Sequence, residues 1–315
     1  MNDIQIRPAT SADAPGICRL FSKAFGREMS LSEWSWKYES NPDGWFGIVA
    51  EAGGRIVGNY AGAGCRFLLD GESRLLYAVG DVSTDPSIRR LGVGSGVFRR
   101  MTDAFYDAVF RNGVPFCFGF PGERHLEISH RLVGSRTLLP IREIRVPCAA
   151  FPAPPPDVVT GDSVGEPFDR FWQDASRVLT DAAVRDRPRA NWRFHARPDR
   201  YYRMVWRESH GRLLGWAVLS VHGEQALVSD FLGLLPDGSD LLPLFSAAAG
   251  EAVRMGVRDL VFWETPGGPA CPVLRNLPGE RRDAGFPLIV RASDDAAADR
   301  LARRAHLTPA LYDLV

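Results

Sequence analysis

From residue 13 to residue 25 the apolar side chains Ile17, Leu20, Phe21 and Phe25 recur on one helical face, which predicts an amphipathic helix with Thr10 or Ser11 as its cap. A short strand is predicted before it at residues 4–7, and a second short helix after it at residues 30–38. Residues 46–51, 55–69 and 73–83 read as strands of an antiparallel meander turned at Gly53-Gly54 and Asp70-Gly71. A long helix is predicted over residues 94–112, ended by Gly113 in the left-handed conformation that closes helices, and a strand follows at residues 114–119.

The same order then recurs. Trp36-Lys37-Tyr38 followed by Pro42-Asp43 reappears as Trp192-Arg193-Phe194 followed by Pro198-Asp199. The turn Gly54-Arg55-Ile56-Val57-Gly58 reappears as Gly211-Arg212-Leu213-Leu214-Gly215, and Arg111-Asn112-Gly113-Val114 as Arg254-Met255-Gly256-Val257. Strands at residues 202–208, 213–221 and 226–231, a helix at 240–255 and a strand at 260–263 complete the second copy. The run Phe151-Pro152-Ala153-Pro154-Pro155-Pro156 reads as an extended spacer. The expected organisation is a unit at residues 1–150, a proline-rich linker at 151–163 and a second unit at 164–315. The fold class is α/β in the broad α+β sense, each unit a mixed, largely antiparallel sheet flanked by helices.

Composition narrows the function. The 315 residues are 45% hydrophobic and 24% charged, as in a folded globular protein. Lys+Arg and Asp+Glu both number 38, so the chain lacks the basic excess of a protein that coats nucleic acid or an anionic membrane. The five cysteines are scattered without a CxxC, and the six histidines without an HExxH, so neither a disulfide framework nor a metal site is expected. No basic segment leads into an apolar stretch at the N-terminus, and no apolar run is long enough to span a bilayer. A cytoplasmic protein is the expectation. The most apolar stretch, residues 241–253, has the length of a buried helix.

The chemistry-bearing stretch is Asp81-Val82-Ser83-Thr84-Asp85-Pro86-Ser87-Ile88-Arg89-Arg90-Leu91-Gly92-Val93-Gly94-Ser95-Gly96. A strand ends near Pro86, two arginines follow, and a helix begins among three glycines. Each glycine disfavours a helix by about 1 kcal/mol, so an ordinary helix start would not carry three. Backbone N–H groups converging at the positive end of a helix, without Cβ atoms in the way, form an anion cradle suited to a pyrophosphate. Arg89 and Arg90 add charge-assisted bonds. The spacing matches neither GxGxxG nor GxxxxGK[ST], and the missing lysine argues against a nucleotide triphosphatase.

Arg89-Arg90-Leu91-Gly92-Val93-Gly94 resembles the [RQ]-x-x-G-x-[GA] motif of the GNAT acyltransferase superfamily, and the order of elements is similar through Gly134. Trp36-Lys37-Tyr38 with Asn41-Pro42-Asp43-Gly44 is also similar to bacterial members. The resemblance implies two tandem GNAT-like units. It implies that the amides of residues 89–96 (Arg89, Arg90, Leu91, Gly92, Val93, Gly94, Ser95, Gly96) hold the pyrophosphate of acetyl-CoA or another acyl-CoA. It also implies that the backbone of Val82 and Thr84 pairs with the pantetheine arm. The second copy has Gly233-Leu234-Leu235-Pro236-Asp237-Gly238-Ser239-Asp240 at the matching place, with acids for arginines, so one acyl-CoA site is expected.

The family's tyrosine acid is missing. Counting back from Gly134 places His130 there, as an acid for the leaving thiolate or a plain surface histidine. His125, Glu123 and Glu127 are weaker candidates on the same segment. Strand alternation would put Asp81, Ser83 and Asp85 on one face, making Asp81 a general base or amine anchor, or a structural residue like its counterpart Asp230. Trp36 reads as core. Trp34 and Trp45 are left to the core or to an acceptor stacked on them. The expected activity is transfer of an acetyl or other acyl group to a primary amine of a small molecule, amino sugar or biosynthetic intermediate, by direct attack in a ternary complex. A Fem-type aminoacyl transferase and a non-catalytic acyl-CoA-binding scaffold are the alternatives.

Overall fold

The computed structural model describes residues 4–90, 94–235 and 237–312, with the backbone course alone at residues 89, 90, 94 and 95. The elements form close to where the apolar pattern places them. β1 (Gln5–Pro8) leads to α1 (Ala14–Phe25), entered through a turn in which the Thr10 N–H donates to the Asp13 carboxylate at 2.9 Å. α2 (Leu31–Trp34) is capped by the Ser30 hydroxyl and runs into a widened turn, Ser35–Glu39. β2 (Trp45–Ala52), β3 (Arg55–Leu69) and β4 (Glu72–Thr84) form the meander. α3 (Pro86–Arg90), α4 (Gly94–Arg111), β5 (Phe116–Gly119), α5 (Glu123–Ile128) and β6 (Arg136–Pro147) follow. The second half begins with β7 (Val158–Gly161), α6 (Glu166–Ala175), β8 (Asp181–Ala183) and α7 (Arg187–Ala190). It continues with β9 (Arg203–Ser209), β10 (Arg212–His222), β11 (Gln225–Gly233) and α8 (Leu241–Arg254). β12 (Asp259–Glu264), α9 (Cys271–Arg275), β13 (Glu280–Ala292) and α10 (Asp295–Arg304) complete it.

Two compact units arise, and they exchange segments. The first gathers the described residues among 1–66, 75–137 and 288–298; the second gathers those among 67–74, 138–287 and 299–315. In the first unit the strands lie in the order β1, β2, β3, β4, β5, with residues 289–292 of β13 paired antiparallel to β5. Val97, Met101, Phe105 and Val109, four residues apart on α4, bury one stripe against this sheet. β3 makes room for them with glycine: a Cβ on Gly58 would lie 2.8 Å from the Met101 sulfur. α1, α2 and the widened turn after it cover the opposite face through Ile17, Phe21, Trp34 and Tyr38.

In the second unit β12 lies between the antiparallel β6 and the parallel β11, and β10, β9 and β7 follow. Ile144 and Val146 of β6 pair with Phe262 and Leu260 of β12, and all four are fully buried. The apolar stretch at residues 241–253 becomes α8, with Leu244, Phe245, Ala247 and Ala248 in the core. The proline-rich run is more than a spacer. Phe151 is buried in this core, a Cβ on Gly250 would meet Pro154 at 3.0 Å, and β7 pairs with β9. Proline excludes this run from a helix but not from packing its rings on an apolar surface. All five cysteines are free and buried, consistent with core thiols.

His306 is 2% exposed, lies against Phe231 with ring centroids 4.6 Å apart, and neither ring nitrogen has a hydrogen-bond partner among the described residues. Burial, and the nearby Arg185 cation, hold it well below the ordinary 6.5. Its imidazole is therefore neutral in the fold while the unfolded chain takes up a proton near 6.5. The stability this represents is present above that pH and is lost as pH falls below it, by up to about 1.4 kcal/mol per pH unit. Urea unfolding between pH 8 and 5 should show this slope in the wild type and a shallower one in His306→Leu.

Candidate functional site

Among the described residues, β4 and β5 pair in parallel at Tyr77↔Cys117 and Ala78↔Phe118. β4 continues to Thr84, so its last six residues run past this ladder. On the other side it stays tied to β3, where the Asp85 N–H donates to the Val57 carbonyl at 2.8 Å. Between these points Asp81 adopts φ +53°, a left-handed conformation that aspartate tolerates better than most residues. A left-handed residue interrupts the regular alternation of a strand, and the neighbours Ser83 and Thr84 are both buried.

The Asp81 carboxylate is not open to solvent. Its Oδ2 accepts from Lys37 Nζ at 2.6 Å and from the Tyr38 hydroxyl at 2.7 Å, and the Lys37 and Asp81 side chains are each 8% exposed. Asn59 of β3 donates its Nδ2 to the Asp81 carbonyl at 3.1 Å. Lys37 and Tyr38 belong to the repeated Trp-[Lys/Arg]-aromatic motif. The widened turn after α2 carries them to the β4 backbone. The Pro-Asp part of the motif is structural. Asp43 accepts from the Arg66 backbone N–H at 2.9 Å and pairs with its guanidinium, which ties this turn to β3.

At the strand's exit Asp85 caps α3, accepting from the Ser87 N–H at 2.8 Å and its hydroxyl at 2.7 Å, and it pairs with Lys23 at 2.8 Å. Its burial would raise the carboxyl, but the Lys23 bond and the two Ser87 bonds outweigh that and bring it down to about 2. Pro86 takes the first helical position, where its missing N–H costs nothing. Arg89 and Arg90 end α3, and Gly94 and Ser95 begin α4; Leu91, Gly92 and Val93 lie outside the described residues. Gly96 sits in the first turn of α4, and a Cβ there would meet nothing within 4 Å. Packing therefore does not explain this glycine.

His130 lies on the widened turn Ser129–Val133 that continues α5, exposed, with Nε2 3.3 Å from the Thr137 hydroxyl. Glu123, His125 and Glu127 are also exposed. Trp34 is only 2% exposed and packs with Tyr38 and Trp45 at ring-centroid distances of 5.5 and 5.3 Å. An acceptor cannot stack on it, and its side chain is core. Trp45 is half-buried, at the edge of the same aromatic group.

Residues 5–132 match the family model of the acetyltransferase (GNAT) domain. This segment is a GNAT domain. Its motif and its site elements lie inside the matched range. The fold of the longer chain also has counterparts. A conserved protein of unknown function from Enterococcus faecalis superposes with a TM-score of 0.70 at 11% identity, over 95% of this chain and 74% of that one. A GCN5-related N-acetyltransferase from Anabaena variabilis gives 0.69 at 11% identity, over 94% and 74%. Eis1 from Mycobacterium abscessus gives 0.62 at 16% identity, over 96% and 76%. No curated protein sequence matches the chain.

Set beside the GNAT domain, the second unit keeps the frame and changes the segment before the long helix. Its motif again sits on a widened turn, Asn191–His195, after a short helix capped by Asp186. β11 carries an irregularity of register where Val218 faces Asp230 and Leu219 faces Val228. Asp230 there accepts from Arg185 at 3.0 Å and from the Thr308 hydroxyl at 2.8 Å. Both repeated aspartates are thus buried and ion-paired. Where the GNAT domain has its glycine-rich helix start, Asp240 folds its carboxylate back onto the N–H groups of Leu234, at 2.5 Å, and Leu235, at 3.1 Å. Amides that would face an anionic ligand face a side chain of the chain itself. Asp240→Ala should therefore destabilise the protein by about 1–3 kcal/mol in urea unfolding, because two loop N–H groups lose their acceptor. An unchanged unfolding midpoint would remove Asp240 from this role.

Proposed function

We infer that the protein is an N-acyltransferase with one acyl-CoA site, in its GNAT domain. It moves an acetyl group, or a longer acyl group, to a primary amine of a small molecule, an amino sugar or a biosynthetic intermediate. The observation that carries this reading is β4: it leaves β5 after Ala78 and delivers the chain, through the Asp85-capped turn, to a glycine-rich helix start. An extended arm fits beside a strand edge of this kind, and an anionic group fits at a glycine-rich helix start.

In this reading the backbone of Val82 and Thr84 pairs with the pantetheine arm. The amides from Leu91 to Gly96 hold the pyrophosphate, and Arg89 and Arg90 supply countercharge. The neutral amine attacks the thioester carbonyl carbon, the C–N bond forms as the C–S bond breaks, and the nitrogen gives its surplus proton to water. His130, exposed on its turn, gives the proton to the leaving thiolate. Asp81 acts from within, through the strand it holds. Trp45 offers an aromatic face to the acceptor. The even charge balance disfavours nucleic acid as partner, and the proposed setting is a cytoplasmic enzyme acting on small molecules.

Calorimetry should find one acetyl-CoA bound per chain, and none to Gly94→Trp. Absence of binding by the wild type would overturn the reading, as would two equal sites. Gly96→Ala should raise unfolding stability by about 0.5–1 kcal/mol, because alanine suits a helix better, while weakening acetyl-CoA binding about tenfold. His130→Ala should lower kcat by about 100-fold. A kcat equal to that of the wild type would exclude His130 from the mechanism.

A further inference from the structure

The proposed coenzyme edge begins at a backbone conformation that strands do not adopt. Asp81 stands at φ +53°, between the last residue of β4 paired with β5 and the segment Val82–Thr84. Left alone, this residue would return to an extended conformation, and the direction of the edge would change with it. Three bonds from two other elements oppose that return. Lys37 and Tyr38 take the carboxylate, and Asn59 takes the carbonyl. Asn59 makes its bond while its own Oδ1 stays buried without a donor among the described residues. An amide so placed is held by its surroundings rather than by its own preference.

The second unit supplies a comparison. Asp230 is also pinned by a buried cation and a hydroxyl, yet by Arg185 and Thr308, and it does not take a positive φ. The left-handed residue goes with the unit whose glycine-rich helix start is intact. We propose that Lys37, with Tyr38 and Asn59, is a positioning residue that holds Asp81 in its left-handed conformation and so sets the edge Val82–Thr84 for the pantetheine arm. This rests on the acyl-CoA reading of the same unit.

The test compares two probes by calorimetry: CoA, which has the pantetheine arm, and ADP, which has a pyrophosphate but no arm. Lys37→Met should weaken CoA about tenfold or more and ADP by less than about threefold, because the cradle stays while the edge shifts. Adding Asp81→Gly should bring CoA back to within about threefold of the wild type, since glycine takes a positive φ unaided and leaves no lone buried carboxylate. Lys37→Arg should retain most of the affinity. If Lys37→Met loses ADP as well, through a damaged fold, Asn59→Ala decides: it leaves the ion pair intact and should still weaken CoA selectively. Equal CoA affinity in Lys37→Met and the wild type would overturn the proposal, and so would a double variant no better than the single one. A wild type that binds neither probe would instead refute the acyl-CoA reading itself.

Discussion

β4 lies beside β3, to which its exit is tied at Asp85, and its paired residues with β5 end at Ala78; Asp81 stands between these points. Its carboxylate is out of water, so it requires a cation, and Lys37 brings one from the turn after α2. Breaking a buried pair by removing one partner typically costs about 3–5 kcal/mol, far more than the pair itself contributes to stability. The pair is therefore best understood as a constraint on geometry. It ties the helical layer to the sheet at the residue where the strand changes direction, and everything downstream depends on that direction: the Asp85 cap, α3 and the start of α4.

The two units show what such a frame tolerates. Both keep a short capped helix, a widened turn carrying tryptophan and a base, a meander, and a buried aspartate on the strand before the long helix. The base that meets the aspartate differs. Arg193, at the position of Lys37, bonds instead to the carbonyls of Ala310 and Tyr312, and Arg185 takes Asp230. The strand irregularity and its buried pair outlast the identity of the partners. The glycine-rich helix start is not kept. Asp240 supplies a carboxylate to the loop amides there, so these amides have an internal acceptor.

Much of this was legible in the chain. The meander, the long helix ending at Gly113 and their second copies lie within a few residues of the apolar pattern, because local periodicity and turn chemistry act over short distances. The glycine-rich stretch was legible for a related reason: glycines that disfavour a helix stand out where nothing local requires them. Trp34 was not settled, since an aromatic on an amphipathic helix reads equally as core or as a platform until its neighbours are known. Strand alternation alone puts Asp81 on one face with Ser83 and Asp85, and its left-handed conformation has no local signature beyond an aspartate that tolerates it.

The sequence by itself determined the elements, their repetition and the one segment suited to an anion, because these follow from spacing and residue type along the chain. Tertiary structure decided which strand completes which unit: residues 289–292 pair with β5, and β6 pairs with β12. It also decided that Lys37 meets Asp81, 44 residues away, and that Asp240 fills the second loop. Those choices depend on which buried polar groups and strand edges find partners once the chain is compact, and spacing along the chain does not encode that.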